Sequence, residues 1–267
     1  MKYLIIGSGG QLGRAFIQKL GKNAVGMDLP GIDVTSVESV NTAVDIVQPE
    51  WIINCSAISD VDLCEREPDL AYEVHYRGIV NLAETGVKLL TFSTDHLFDG
   101  GRGRSTPFFE EDMPDPVNIY AESKLAGERE ALSTRKDNIV IRTSWLFSGS
   151  NGLIPFLWRS LKNKGKVRAV SDQISAISYT HDLVKQVLTV IDDGVSGILH
   201  VVGSDEFTPV KLAELISEYT GGIVESILWD SLGRDADRPK YSVLSSRRGY
   251  LLPDARNVIE RWKAIND

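Results

Sequence analysis

The 267-residue chain has only two cysteines, three methionines and four histidines, and each scarcity excludes something. Cys55 and Cys64 have neither C-x-x-C nor zinc spacing, so neither a disulfide framework nor a zinc site is expected. Cys55 lies in an apolar run and reads as a small core residue; both cysteines read as thiols in a reducing compartment. His75, His96, His181 and His200 form no close pair, and no metal is expected. An excess of basic residues is also missing. The net charge is −8, which leaves no electrostatic footprint for nucleic acid. Long apolar runs are absent: no segment approaches the roughly 20 residues of a membrane span. The opening Met1-Lys2-Tyr3-Leu4-Ile5-Ile6-Gly7 is too short and too soon followed by glycine to be a signal peptide. A cytoplasmic protein with no membrane partner is therefore expected. There is no repeat, low-complexity segment or flexible linker, so any second lobe packs directly on the first.

What is present is the rhythm of alternating strands and helices. Tyr3 to Ile6 is a short continuous apolar run, as in a parallel strand buried on both faces. Leu12, Ala15, Phe16 and Leu20 follow with helical spacing. Further strands are expected at Ala24–Met27, Trp51–Cys55, Leu89–Ser93 and Ile139–Thr143. The helices between them run from Val37 to Val47, from Leu70 to Ala83 and from Ala121 to Leu132. This order predicts an α/β fold, a Rossmann-type doubly wound parallel sheet. After Trp145 the rhythm weakens. A helix over His181–Ile191, a returning strand over Ile198–Val202 and a helix opened by Thr208-Pro209 are expected. Arg234 to Arg248 reads as a long charged loop. The expected division is a nucleotide-binding domain over 1–145, joined by the strand near 198–202, and a smaller C-terminal substrate lobe over 146–267.

Gly7, Gly10 and Gly13 space a G-x-x-G-x-x-G turn between the first strand and the first helix. Such a turn needs unusual backbone angles, close approach of a pyrophosphate and tight packing of helix on strand. The helix N-terminus offers free N–H groups to an anion. In that context the glycines point to a dinucleotide; the alternative is a tight turn without ligand. Asp28 closes the second strand, where a carboxylate accepts from ribose hydroxyls and disfavours a 2′-phosphate. Arg14 offsets that repulsion, so NADH and NADPH both stay open, as does a plain solvated acid at position 28. Asp33 and Val34 stand at the next turn, within reach of an adenine; alone, Asp33 reads as a helix-entry acid.

Tyr120 and Lys124 form Y-x-x-x-K, one helical turn apart on a shared face. Hydride transfer to a carbonyl builds charge on its oxygen, which then needs a proton. An ammonium near a phenol lowers the phenol's pKa, making Tyr120 an acid in reduction and a base in oxidation. Alone the pattern also describes an exposed amphipathic pair. Ser93-Thr94-Asp95 ends the preceding strand, where ligands bind in such sheets. There Thr94 donates to a substrate oxygen, unless the run is merely turn-forming.

Together these runs resemble the extended short-chain dehydrogenases and, more narrowly, the dTDP-4-dehydrorhamnose reductase family. The marks are Gly10-Gln11-Leu12-Gly13, Asp33-Val34-Thr35, Ser93-Thr94-Asp95, Leu97-Phe98-Asp99-Gly100, Tyr120 with Lys124, Arg142-Thr143-Ser144-Trp145, Asp172-Gln173 and Arg238-Pro239. They span the chain from the first strand to about Arg248. The resemblance implies an NADH- or NADPH-dependent oxidoreductase that reduces the 4-keto group of a dTDP-linked 6-deoxy sugar. It implies a catalytic trio of Thr94, Tyr120 and Lys124. Cofactor contacts would come from Gly7, Gly10, Gln11, Leu12, Gly13, Asp28, Asp33, Val34, Ser56, Ala57 and Ser59, with Tyr120 and Lys124. Thr94, His96, Tyr120 and Trp145 would meet the dTDP-sugar, although Trp145 also suits a core position. Arg238 and Lys240 are candidates for its diphosphate, or a solvated basic loop. The chain departs from the family where His75 replaces an asparagine, where His96 replaces a tyrosine, and where Ile174-Ser175-Ala176-Ile177-Ser178 replaces Gly-x-Pro-Thr. The last two departures are expected on the substrate side. A related sugar-nucleotide epimerase or dehydratase, or a non-catalytic regulatory subunit of the same fold, remains the alternative. The oligomeric state is not legible, and a homodimer stays open.

Overall fold

In a computed structural model that describes residues 1–99 and 103–266, the chain alternates strand and helix through its first half. The elements are β1 (Tyr3–Ile6), α1 (Gln11–Leu20), β2 (Ala24–Met27), α2 (Val37–Val47), β3 (Trp51–Asn54), α3 (Val61–Arg66), α4 (Pro68–Tyr72), α5 (Gly78–Glu84), β4 (Lys88–Thr94), α6 (Ile119–Thr134) and β5 (Ile139–Thr143). They continue as β6 (Leu146–Phe147), α7 (Leu153–Lys164), β7 (Lys166–Val170), β8 (Ser178–Tyr179), α8 (Thr180–Asp192), β9 (Gly197–His200), α9 (Pro209–Thr220), β10 (Ile223–Ile227) and α10 (Ala255–Asn266). Gly100, part of one family mark, lies outside the described residues.

Six strands make one parallel sheet in the order β2-β1-β3-β4-β5-β9. Their apolar runs are explained by burial on both faces. Tyr3 and Ile5 join Phe16 of α1 and Leu183, Val187 and Val190 of α8 on one face. Leu4 and Ile6 join Val40 of α2, Leu82 of α5 and Ala131 of α6 on the other. The chain leaves β1 toward one edge and, after β2, resumes at β3 on the far side of β1. Ligand crevices of open α/β sheets form at such a switch, outside the carboxyl ends of the strands. The returning strand is β9, which pairs with β5 from Ile139↔Gly197 to Arg142↔His200.

Beyond β5 a second apolar cluster forms around Leu157, Trp158, Leu212, Ile216, Val258 and Trp262, contributed by α7, α9 and α10. It carries the short parallel pair β7–β10 and, at its border, β6–β8. α7, α10, β7 and β10 are additions to the sequence reading. The stretch 234–248 is irregular as expected, tied down by isolated bridges such as Phe108↔Leu244 and Ile174↔Tyr241.

The long helix expected over Leu70–Ala83 is not regular. Residues Glu73–Arg77 form a π turn between α4 and α5. The widened turn pushes the His75 carbonyl toward α6, where a Cβ on Gly127 would stand 2.1 Å from it. Only glycine admits that approach, and extra residues of this kind recur at functional sites.

Candidate active site

The loops leaving β1 and β3 flank the switch point. Gly7 has φ +72°, and a Cβ there would stand 2.8 Å from the Cys55 carbonyl carbon and the Ser56 nitrogen. A Cβ on Gly13 would stand 2.2 Å from the Gly7 oxygen. The turn therefore fits only with hydrogen at these positions. α1 has neither a side-chain cap nor an acid in its first turn, which leaves its N–H groups for an anion.

A cavity of about 460 Å³ runs from Gly10, Gln11 and Leu12 past Ser56, Ala57 and Ser59 to Thr94, His96, Tyr120, Lys124 and Trp145. A second, of about 310 Å³, shares Gly10, Cys55, Ser56 and Ala57 with it and extends to Gly7, Asp28, Asp33 and Val34. Every residue expected to hold the cofactor or to act on the sugar lines one of the two, except Gly13, which packs behind the turn; the diphosphate candidates Arg238 and Lys240 line neither. The Ser93 hydroxyl is buried in the wall of the larger cavity without a partner among the described residues. A long two-part cleft, a turn that excludes Cβ atoms and an unsatisfied hydroxyl together suit a dinucleotide.

Several side chains are already engaged. The Gln11 amide donates to the Thr180 hydroxyl at 3.1 Å, tying α1 to α8. Asp28 accepts from the Gly9 nitrogen at 2.9 Å and from the Leu29 nitrogen at 3.0 Å, which holds its carboxylate at the rim. Asp33 accepts from the Thr35 nitrogen and hydroxyl at 2.9 and 2.8 Å and braces its own turn. Cys55 is a correction: it is half-buried and lines both cavities, because β3 ends one residue earlier than expected.

At the inner end α6 begins at Ile119. Asn118 caps it, accepting from the Ala121 nitrogen at 2.9 Å and donating to the Asp237 carbonyl at 2.8 Å. An asparagine two residues before Tyr120 is a sequence signal for such a cap, and the sequence reading passed over it. Tyr120 lies between two imidazoles, edge-on to His75 at 5.6 Å and to His96 at 5.8 Å between ring centres. Burial pushes its phenol up to about 12; a hydrogen bond with Thr94 opposes this and the Asp95 carboxylate adds to it. Tyr120 itself keeps part of its surface open to the cleft, whereas Lys124 is buried and is pulled down to about 8 by that burial, with Glu128 one turn further along α6 pulling the other way. This corrects the expectation that Lys124 lowers the phenol's pKa in the free protein. Burial weakens both charged forms before either can support the other.

The profile of the family described as RmlD substrate binding domain matches residues 1–264. A dTDP-4-dehydrorhamnose reductase of Mycolicibacterium smegmatis is 34% identical over 92% of this chain and 79% of its own length. A crystal structure of a dTDP-4-dehydrorhamnose reductase from Clostridium acetobutylicum is 30% identical, with a TM-score of 0.93 and 99% of each chain covered. Another, from Bacillus anthracis in complex with NADP, has the same identity and TM-score and covers 100% of both chains. The chain belongs to the dTDP-4-dehydrorhamnose reductase family.

Within that family frame the departures separate by location. His96 lines the cavity, with its Nδ1 3.5 Å from the Asn118 amide. Ser175 to Ser178 do not line it, which corrects their expected place on the substrate side. Ser175 donates inward to Asp95 at 2.6 Å, and Ser178 accepts from the Thr143 hydroxyl at 3.1 Å. Small hydroxyl side chains there satisfy buried partners rather than face a ligand. His75 is buried: its Nε2 accepts from the Ile58 nitrogen at 3.0 Å and its Nδ1 lies 2.8 Å from the Ser123 hydroxyl. Arg238 is engaged too, 3.4 Å from Asp62 and over the Trp229 ring at 4.8 Å. Lys240 lines a separate cavity of about 390 Å³ with Asp172, Gln173 and Trp229.

Proposed function

We propose that this protein reduces the 4-keto group of a dTDP-linked 6-deoxy sugar, dTDP-4-dehydro-L-rhamnose, with NADH or NADPH. The observation that carries the reading is that Thr94, Tyr120 and Lys124 line the inner end of one glycine-turn cleft together, with Lys124 one helical turn behind Tyr120. The names of the relatives supply the substrate class. Gly7, Gly10, Gln11 and Leu12 with Ser56, Ala57 and Ser59 would hold the dinucleotide, and Asp28, Asp33 and Val34 its adenosine end.

When bound, the reduced nicotinamide supplies a hydride to the carbonyl carbon. The protein's part is to place the carbonyl and deliver a proton. Thr94 and Tyr120 present hydroxyls to the carbonyl oxygen as its charge grows. A phenol raised by burial is still protonated at neutral pH, so Tyr120 holds the proton that the product hydroxyl requires. The Lys124 ammonium then steadies the phenolate left behind. His96, half-buried and held below its usual pKa chiefly by desolvation, adds a ring donor or acceptor on the sugar side. The lobe that would close over the nucleotide is drawn mainly from residues after 146, with α8 and β9 returned to the sheet.

The test is to supply cofactor deuterated on the nicotinamide with dTDP-4-dehydro-L-rhamnose and to examine the product. One deuterium at C4 of dTDP-L-rhamnose, with stoichiometric oxidation of added cofactor, is expected. Epimerisation without net oxidation would instead assign the protein to the cofactor-recycling relatives.

A further inference from the structure

Among the described residues two that are not glycine have a positive φ, Gln48 at 48° and Trp145 at 28°. Gln48 closes α2, a place where that backbone is ordinary. Trp145 closes no helix. It lies between β5 and β6, lines the larger cavity with Thr94, His96 and Tyr120, and packs against the C-terminal apolar cluster. A bulky residue keeps such a backbone only where its surroundings fix it, and residues of this kind gather at ligand sites. Here one segment, 176–180, fixes the chain on both sides of the tryptophan. Ser144, 3% exposed, donates to the Ala176 carbonyl at 2.8 Å, and the Thr143 hydroxyl donates to Ser178 at 3.1 Å. The Trp145 carbonyl accepts from the Ser178 nitrogen at 3.3 Å, and the Phe147 carbonyl from the Thr180 hydroxyl at 3.0 Å. That segment is anchored in turn. Ser175 exchanges two backbone bonds with Phe207, at 3.1 and 2.8 Å, and the Ser175 and Ser242 hydroxyls each donate to Asp95 at 2.6 Å.

From these contacts we propose that Ser144 is a positioning residue for the sugar side of the cleft: its bond to Ala176 keeps Trp145 in the strained turn and so sets the place of the tryptophan in the cavity wall. Ser144 directly precedes the strained residue. A serine hydroxyl has one hydrogen, and Ser144 spends it on a buried carbonyl, so it has none to donate to a ligand. Released from Ala176, the backbone at 145 relaxes toward negative φ and carries the indole with it. The inference deepens the function proposed above and rests on it for the ligand, since Trp145 shares its cavity with the residues assigned to the carbonyl. It also gives the run from Ile174 to Ser178 a route to the substrate. That run does not line the cavity, yet Ala176 and Ser178 hold the turn that does. A change there reaches the sugar site through Trp145 without touching the ligand.

The test is Ser144→Ala, which removes one oxygen and leaves the β-carbon. Trp145 emission is taken, without substrate, as the difference between each protein and its Trp145→Phe counterpart, which separates it from the other tryptophans. A displaced emission maximum and a changed acrylamide quenching constant are expected in folded Ser144→Ala. With dTDP-4-dehydro-L-rhamnose, KM should rise by about tenfold while kcat and cofactor affinity stay within about twofold. In a Trp145→Ala background the same substitution should move KM by less than about twofold, because a residue that acts through another is not additive with it. A serine with a merely structural role would lower the melting temperature and leave the Trp145 emission and KM as in the wild type. That result, or an equal rise in KM without Trp145, would overturn the proposal. If Ser144→Ala does not fold, Ser144→Cys, near in size and a weaker donor, is read by the same emission difference, and an emission equal to wild type would again overturn it. Absence of turnover together with a displaced emission would count against the proposed function and leave the positioning of Trp145 standing.

Discussion

His75 shows how much a single side chain is asked to do near the centre of this molecule. It accepts a backbone N–H at Nε2, so its Nδ1 carries the hydrogen and donates to Ser123, whose hydroxyl donates to the Tyr120 carbonyl at 3.0 Å. One neutral imidazole thus joins the loop after β3 to the helix that bears Tyr120 and Lys124. Burial, with the nearby Lys124 charge, lowers its pKa from 6.5 to about 3. The unfolded chain therefore binds a proton between those limits that the folded chain refuses. Stability from this group is complete above pH 6.5 and is lost as the pH falls toward 3, by about 2 kcal/mol on reaching pH 5. His75→Asn, the residue usual in the family, should flatten that part of the curve. Urea midpoints measured at pH 7 and 5 check this; equally steep losses in both proteins would contradict it. The sequence made the residues that lie in short motifs legible, because Thr94, Tyr120 and Lys124 carry their meaning in local spacing. Asp95, Ser175 and Ser242 carry theirs only after folding brings distant segments to one carboxylate.

At the scale of elements, legibility followed burial. β1, β3, β4 and β5 are buried along nearly their whole length, and their apolar runs announce them. β10 is exposed or half-buried throughout and includes Glu225 and Ser226, so no pattern marks it. α7 has apolar residues at helical spacing, but Pro155 in its first turn reads as a breaker although that turn tolerates it. The π turn leaves no local trace, since what makes room for it is Gly127 on another helix. The turn between β1 and α1 was legible because its glycines answer a steric demand. A methyl at position 13 would lie 2.2 Å from the Gly7 oxygen. Gly13→Ala should therefore push α1 from the strand and weaken dinucleotide binding by at least about tenfold, as the helix N-terminus moves off the phosphate. Titration of bound-cofactor fluorescence measures it, and an affinity equal to wild type would refute the role given to this glycine.

For the whole molecule, the sheet order places two loop ends and one helix start around a single cleft, and the C-terminal segments close on the same place. Ser175 and Ser242 reach Asp95, Asp237 meets Asn118, and Asp62 of α3 accepts from the Ala236 nitrogen at 3.1 Å. The position of the later segments is thus coupled to the residues proposed to perform chemistry. Alternating strands and helices made the sheet legible in the sequence. The clasp was not, because it is built from hydroxyls and loop carbonyls that have no periodicity. The central claim is that this cleft reduces a sugar-nucleotide ketone with Tyr120 as its acid. Its most direct test follows the fall in nicotinamide absorbance with dTDP-4-dehydro-L-rhamnose for the wild type and for Tyr120→Phe. Turnover by the wild type that drops by about 10² or more in a variant that still binds cofactor is the expected result. Equal turnover by both proteins would contradict the account.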